Sequence, residues 1–168
     1  MGNTMNAKKA ADLIWQCWQN GTVIKNIPNF LHIQTREEGY EIQSYFESYS
    51  KYPLFGWKIA ATSLAGQNHI GVSAPLAGRI LQERVFKPST RLNFGTNRMA
   101  VAEAEFAFRI GSTLKPRTTK YSQEEVMSAV EALHPAIEIP DSRFHDFNIV
   151  GEALLIADNA CAHEFVIG

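Results

Sequence analysis

Two glutamates, Glu103 and Glu105, lie two positions apart inside an otherwise apolar run that spans residues 99–110. Successive side chains of a β-strand point to opposite faces, so the two carboxylates are expected on the same face of one strand. Phe106 and Phe108 fall on the other face, which we expect to lie in the core. Like charges this close repel each other and are costly to bury unpaired, so the spacing predicts a nearby cation, either Lys/Arg or a metal ion. Oxygen ligands of this kind favour hard divalent ions such as Mg²⁺ or Mn²⁺.

A third carboxylate fits the same interpretation. The segment 134–143 is expected to form a short strand that ends in a turn, with Ile137 and Ile139 facing the core and Glu138 facing the other way. If this strand is a neighbour of the first one, the three carboxylates converge. The alternative is a solvated sheet face that carries its glutamates incidentally, because the pattern of two glutamates around one residue is common in strands.

The composition is that of a globular protein with one substantial core. The chain has 168 residues, of which 45% are hydrophobic and 20% charged, and its net charge is −1. With this net charge, the chain has no excess of basic residues that would favour binding to nucleic acid. No apolar run reaches the length of a membrane span. The two cysteines show neither a disulfide framework nor metal-ligand spacing, so we expect a reducing, cytoplasmic setting.

Helical and strand patterns mix irregularly along the chain, which predicts an α+β fold. An amphipathic helix is expected over 7–20, and capping-box patterns predict further helices that begin after Thr35 and Ser122. We expect the last of these helices to run to Pro135. Strands are predicted at 54–61, at the two glutamate-bearing segments and at 164–167. The chain is therefore divided into an N-terminal helical part, 1–53, and a β-rich catalytic part, 54–168.

Lys58 is the polar exception in a strand that is otherwise predicted to be buried. Trp57 and Ile59 flank it and point to the opposite face. A lysine in such surroundings suits a role in proton transfer. The alternative is a lysine whose ammonium reaches out to water along an apolar surface.

Three further residues are candidates for substrate binding or for holding the metal ligands in place: Asp141, Arg143 and Asn159. Arg143 could instead bind a substrate carboxylate directly. The simpler alternative for the segment around Asp141 is a turn, which the Pro-Asp-Ser sequence favours.

Five motifs occur in an order that is typical of one family. They are GWKIAAT (56–62), HIGV (69–72), VAEAEFAF (101–108), PAIEIPDSR (135–143) and ADNA (157–160). Together they resemble the 2-keto-4-pentenoate hydratase branch of the fumarylacetoacetate hydrolase family. The resemblance covers the chain from about residue 7 onward.

This resemblance implies a fold, an activity and a set of site residues. The fold is a mixed, mostly-β roll of the fumarylacetoacetate hydrolase C-terminal type with an N-terminal helical part, here truncated at its C-terminus. The activity is a lyase reaction that hydrates a 2-hydroxy-dienoate or 2-oxo-enoate to a 4-hydroxy-2-oxo acid in aromatic-compound catabolism. The family's metal-binding glutamates match Glu103, Glu105 and Glu138, which would hold Mg²⁺ or Mn²⁺, and its active-site lysine matches Lys58. The partner is a small-molecule substrate, and we expect a homo-oligomer.

Two positions depart from the family pattern. Leu76 stands near the place where hydratases of this branch often carry an acidic residue, and Cys161 stands where a small hydroxyl residue is often found. The alternatives to hydration are therefore decarboxylation of a 2-oxo-3-enedioate, hydrolysis of a carbon–carbon bond, or an inactive partner subunit. The apolar strand before Gly168 also predicts either a fragment or a sheet edge that another subunit covers.

Overall fold

The computed structural model describes residues 2–168, with side chains from residue 5 onward. These described residues form six helices: α1 (Gly2–Asn20), α2 (Arg36–Ser44), α3 (Phe46–Tyr49), α4 (Leu64–Ile70), α5 (Gln123–Ser128) and α6 (Glu152–Ala157). The same part of the chain contains six strands: β1 (Leu54–Ala60), β2 (Leu76–Leu81), β3 (Val85–Phe86), β4 (Glu103–Ile110), β5 (Val130–Ile139) and β6 (Glu164–Ile167). Single 3-10 turns lie at Asn29–Leu31, Gln82–Arg84 and Asn159–Cys161. Within the described residues, no helix is long and apolar enough to cross a membrane.

The strands form two separate sheets. Strands β1 and β2 make a two-stranded antiparallel sheet, and the other four strands are ordered β3-β6-β5-β4. In the larger sheet, β5 is antiparallel to both of its neighbours and β3 is parallel to β6. The predicted α+β class is confirmed. Helices α1 to α3 precede residue 53 and the strands follow it, but α4 to α6 also follow it, and the contact of α2 with α6 crosses that boundary. The division into parts stays a prediction.

Both predicted capping boxes are present. The Thr35 hydroxyl accepts a hydrogen bond from the backbone N–H of Glu38, and the Glu38 carboxylate accepts one from the N–H of Thr35. Ser122 and Glu125 exchange the same pair of bonds at the start of α5. Each box gives partners to backbone donors that the first turn of a helix leaves free.

The main core lies where α1 and α2 pack against the segment around α6. Ile14, Ile42 and Phe46 are fully buried there, and the rings of Trp15 and Trp18 meet edge to face. Burying these large apolar side chains is the main stabilising contribution of the helical part. A second cluster around Leu76 and Ile156 joins α6 to the smaller sheet.

The expected burial of the Phe106 and Phe108 face of β4 is wrong. Phe106 is 75% exposed and Phe108 is 53% exposed. Ile137 on β5 shares this face and is exposed as well. The reason is that none of the described residues forms a layer over this side of the larger sheet, whereas the opposite side carries the glutamates.

The helix predicted to run from Ser122 to Pro135 is shorter than expected. It ends at Ser128, and β5 begins at Val130 and continues through Pro135. Proline is normally excluded from a central strand because it has no N–H to donate. The Pro135 carbonyl accepts a hydrogen bond from Gly168 on the β6 side. Its nitrogen faces the Gly168 carbonyl but has no hydrogen to donate, and that carbonyl lies 2.7 Å from Nδ1 of His134 instead.

Candidate metal centre

The three glutamates come together on one face of the larger sheet. Glu103 in β4 is paired directly with Glu138 in β5, and Glu105 is paired with Ala136. Residues that face each other across an antiparallel pair point to the same side, so all three carboxylates share one face. One carboxylate oxygen from each lies within 4.8 Å of the other two. The predicted convergence therefore occurs, with Glu138 buried, Glu103 half-buried and Glu105 exposed.

Lys58 reaches this cluster from the other sheet. Its Nζ lies 2.8 Å from Oε1 of Glu138, and its side chain is only 10% exposed. The structure therefore contradicts the alternative in which the Lys58 ammonium extends into water. The prediction that its strand is buried on both faces is wrong, because Trp57 and Ile59 on the opposite face are half-exposed. Lys58 points inward because the inner face of β1 is directed at the glutamate-bearing sheet.

The cluster carries more negative than positive charge. Three carboxylates face one ammonium, and among residues 5–168 neither Glu103 nor Glu105 has an ion-pair partner within 4.0 Å. Burial raises the pKa of Glu138, and repulsion from Glu103 and Glu105 raises it further, while the Lys58 ammonium lowers it. This arrangement opposes ionisation of the cluster unless a further cation is supplied.

The buried Glu138 carboxylate is incompletely hydrogen-bonded. Its buried Oε1 forms the ion pair with Lys58, but it has no well-oriented hydrogen bond within the described part of the chain. A buried oxygen without a hydrogen bond is costly, and a coordinated cation would relieve that cost. The donor set of three carboxylates therefore fits a hard divalent ion.

Arg143 lies behind the site and is almost fully buried. Its guanidinium pairs with the Asp158 carboxylate, with Nε 2.5 Å from Oδ1, and donates to the backbone carbonyls of Asp141, Asp158 and Ala162. The guanidinium is also buried, since Arg143 is only 2% exposed, so it presents almost no surface to solvent. The geometry favours a positioning role over direct binding of a substrate carboxylate. Burial raises the pKa of Asp158, and the attraction of Arg143 opposes that rise.

Asp141 and Asn159 also hold backbone segments in place. The Asp141 carboxylate accepts a hydrogen bond of 3.0 Å from the N–H of Arg98. The buried Asn159 amide bonds both backbone groups of Arg79 in β2, accepting from its N–H at 2.6 Å and donating to its carbonyl at 2.8 Å. The assignment of these residues to the site stays a prediction, and their contacts fit the positioning alternative.

One residue next to the site was not predicted from the sequence. Gly78 in β2 lies directly opposite Lys58 in β1, and it is in close contact with the turn that contains Asn159. The available signal is a single glycine inside a strand pattern, which often marks close approach of another backbone.

The two departures from the family pattern are both buried. Leu76 begins β2, is 1% exposed and packs in the apolar cluster with Ile156, so it places no acidic group there. Cys161 packs in the same cluster, and burial raises the pKa of its thiol to about 12. Cys17 and Cys161 are both free thiols.

No family model matches the chain. The 2-keto-4-pentenoate hydratase of Paraburkholderia xenovorans strain LB400 is 29% identical over 165 residues, which is 96% of this chain and 60% of the relative. The 2-keto-4-pentenoate hydratase 2 of Dechloromonas aromatica strain RCB is 30% identical over 171 residues, which is 99% of this chain and 63% of the relative. The chain thus spans about three-fifths of the length of these curated relatives.

A solved structure has the same fold. It is 4-oxalocrotonate decarboxylase from Pseudomonas putida G7, complexed with magnesium and adipate, with a TM-score of 0.82 and 21% identity. The match covers 96% of this chain and 62% of that one. These likenesses confirm the resemblance that the five motifs predict. The chain is related to the 2-keto-4-pentenoate hydratase branch of the fumarylacetoacetate hydrolase family and has its fold.

Proposed function

We propose that this chain is a divalent-metal-dependent lyase that hydrates a 2-hydroxy-dienoate to a 4-hydroxy-2-oxo acid. The observation that carries the proposal is the convergence of three carboxylates from β4 and β5 with one lysine from β1. Relatives named as 2-keto-4-pentenoate hydratases, which match nearly the whole chain, support the choice of reaction.

Glu103, Glu105 and Glu138 are the residues that would hold the metal. Magnesium is the first candidate because the decarboxylase of the same fold was solved with it, and manganese is tested beside it. When bound, a divalent ion supplies Lewis acidity that stabilises negative charge on a substrate oxygen. The carboxylates do not repel an anionic substrate from the site once their charge is balanced in this way.

Lys58 is the proposed catalytic residue. Hydration adds the hydrogen and the hydroxyl of one water molecule across a carbon–carbon double bond, so a proton must reach the carbon skeleton. The Lys58 ammonium holds protons at the edge of the cluster, and its ion pair with Glu138 fixes where they are held. Its low exposure restricts the exchange of those protons with bulk water.

The three outer residues act behind this centre. Arg143 and Asp141 fix the segment that follows β5, and Asn159 fixes the turn that follows α6 against β2. In this proposal they keep β5 and β2 at a constant separation, which keeps Glu138 within reach of Lys58.

The test is an assay of the purified chain with 2-hydroxypenta-2,4-dienoate and Mg²⁺. We expect the absorbance of the dienoate to fall, excess chelator to stop the reaction, and Mg²⁺ or Mn²⁺ to restore it. A parallel assay with 4-oxalocrotonate measures CO₂ release. Full activity in excess chelator contradicts the metal dependence. CO₂ release without hydration identifies a decarboxylase, and the absence of both reactions supports an inactive partner subunit.

We also infer a homo-oligomer in the cytoplasm. The exposed apolar face around Phe106 and Phe108 supports association, because exposed patches of this kind are typical of interaction surfaces. The two free, buried cysteines fit a reducing compartment. Sedimentation equilibrium of the purified chain tests the first inference, and a single species with the monomer mass contradicts it.

A further inference from the structure

The turn that follows α6 has an unusual backbone. Asn159, Ala160 and Cys161 have φ values of 58°, 50° and 60°, which places three successive non-glycine residues in the left-handed region. Side chains with a Cβ rarely adopt this conformation, and it persists only where the surrounding structure holds it. The turn is buried, so the bonds that hold it can be identified.

Two sets of hydrogen bonds hold this turn. On one side, the buried Asp158 carboxylate accepts from the Ser142 hydroxyl at 2.6 Å and from the Arg143 backbone N–H. On the other side, the Asn159 side-chain amide makes hydrogen bonds to the backbone N–H and the carbonyl of Arg79. These are the bonds that another strand would make along the edge of β2 that faces away from β1. The turn is thereby fixed against β2 at the position next to Gly78.

Gly78 lets the turn come close to Lys58. The carbonyl oxygen of Asn159 occupies the space that a Cβ on Gly78 would fill, and Cγ of Lys58 lies 3.0 Å from the same point. Lys58 is also the cross-strand partner of Gly78. The methylene groups of Lys58 therefore pass over Gly78, which has no side chain. They lie beside the Asn159 carbonyl, which the hydrogen bonds of Asn159 to Arg79 hold in place.

We propose that Gly78 and Asn159 are positioning residues that fix the side chain of Lys58 against Glu138. This inference deepens the proposed function and rests on it, since it assigns a purpose to the placement of the proposed catalytic lysine. The bare Cα of Gly78 and the carbonyl of Asn159 form one wall beside the lysine stem. The Asn159 amide holds that wall at a constant distance from β1.

The first test compares Gly78→Ala with Gly56→Ala. Gly56 lies in the partner strand β1, and a Cβ there meets no atom within 4 Å, so it is a matched control. The readout is the ammonium signal of Lys58 in proton–nitrogen NMR spectra of the metal-free protein, assigned by its loss in Lys58→Met. We expect the signal in the unsubstituted protein and in Gly56→Ala, and its loss or shift in Gly78→Ala. An unchanged signal in folded Gly78→Ala, or no signal in the unsubstituted protein, overturns the proposal.

The second test measures Mn²⁺ binding by titration calorimetry. If the methyl group of Gly78→Ala moves the ammonium away from Glu138, the cluster becomes more negative, and Mn²⁺ should bind about threefold or more tightly. Lys58→Met should have the same effect. Gly78→Ala should then add nothing in the Lys58→Met background, because the interaction it disturbs is already absent. Independent, additive effects overturn the positioning role.

Asn159→Gly provides a second variant if Gly78→Ala does not fold. Glycine suits the positive φ at this position but removes both bonds to Arg79, so the turn is released without added backbone strain. We expect the same change in the Lys58 signal, with folding checked by circular dichroism. Unfolding of both variants would show that these residues are required for folding in general rather than for the position of Lys58, and would overturn the proposal. Failure of the proposed function gives a different result, namely no Mn²⁺ binding by the unsubstituted protein.

Discussion

Lys58 and Glu138 belong to different sheets, yet Nζ of one lies 2.8 Å from Oε1 of the other. The pair joins β1 of the smaller sheet to β5 of the larger sheet at the place where the three carboxylates meet. A buried ion pair is sensitive to the removal of either partner, because the remaining charge is left without compensation. Substitutions at these two residues therefore report on the site most directly.

Glu138→Gln should weaken divalent-metal binding by at least about tenfold, because glutamine keeps the shape of the side chain but lacks its negative charge. Titration calorimetry with Mn²⁺ measures the change. The matched control is Glu131→Gln in the same strand, where the exposed carboxylate pairs with the exposed Arg109. Equal affinities of the Glu138→Gln and Glu131→Gln proteins would contradict the assignment of Glu138 as a ligand.

Lys58→Met should lower kcat by about 100-fold or more, since methionine retains much of the apolar stem but cannot hold a proton for transfer. The dissociation constant for Mn²⁺ should not rise, because the substitution removes positive charge from beside the ligands. Steady-state kinetics and metal titration of the same preparation separate the two effects. Lys51→Met, at an exposed position before β1, serves as the control. A kcat equal to that of the control would exclude a role for Lys58 in proton transfer.

His163 should make the protein less stable in weak acid. Burial, with repulsion from Arg143 and Arg84, lowers the pKa of this imidazole from 6.5 to about 4. Between those values the unfolded chain binds a proton that the folded protein does not, so the free energy of unfolding falls as the pH decreases through this window. Allowing for the partial exposure of the ring, the loss is about 2 kcal/mol.

Urea unfolding of the unsubstituted protein and of His163→Gln at pH 7.5 and pH 4.5 measures this contribution. Glutamine can still accept the hydrogen bond that Trp18 Nε1 donates to the imidazole at 2.7 Å, but it does not titrate. The difference between the two proteins isolates His163 from the carboxylates that titrate in the same range. Identical pH dependence in both proteins would show that the imidazole does not contribute.

Thr35→Ala should lower the free energy of unfolding by about 1 kcal/mol, because it removes the hydroxyl that accepts from the Glu38 N–H at the start of α2. Ser44→Ala at the other end of the helix removes only an exposed bond to the Glu41 carbonyl and should have a much smaller effect. Thermal or urea unfolding compares the two. A smaller loss for Thr35→Ala than for Ser44→Ala would contradict the role of the capping box.

The local parts of the site could be predicted from the sequence because they depend on short-range rules. The two-residue period of a strand places Glu103 and Glu105 on one face, and the same rule turns Glu138 away from Ile137 and Ile139. The capping boxes at Thr35 and Ser122 are equally local.

The parts that the sequence does not predict either lack a local signal or depend on contacts distant in sequence. The helix α4 has a serine cap at Ser63, but no apolar period marks it, and none of its residues is buried. Phe106 is exposed because no layer of the described residues packs over its face of the sheet. The alternation of residues within one strand predicts the two faces but not which of them is covered. Likewise, a proline at position 135 is typical of a helix end, and only its pairing with Gly168 shows that it lies inside a strand.

The role of the buried arginine also required the structure. From sequence, Arg143 could either bind substrate or support the ligands, and only the packing of Asp158 and the carbonyls around it favours the second alternative. Gly78 is only weakly informative in the sequence. A glycine in a strand indicates that another backbone or a ligand lies close, but it does not identify which one.

The direct pairing of Glu103 with Glu138 limits how the length of β4 can change. A single inserted or deleted residue between the two glutamate positions and the end of the strand would turn both β4 carboxylates toward the phenylalanine side, away from Glu138. Length variants of this strand should retain metal binding only when they change by an even number of residues. The loop after Ile110 has no such constraint, because its length does not decide which face of the sheet carries the two carboxylates.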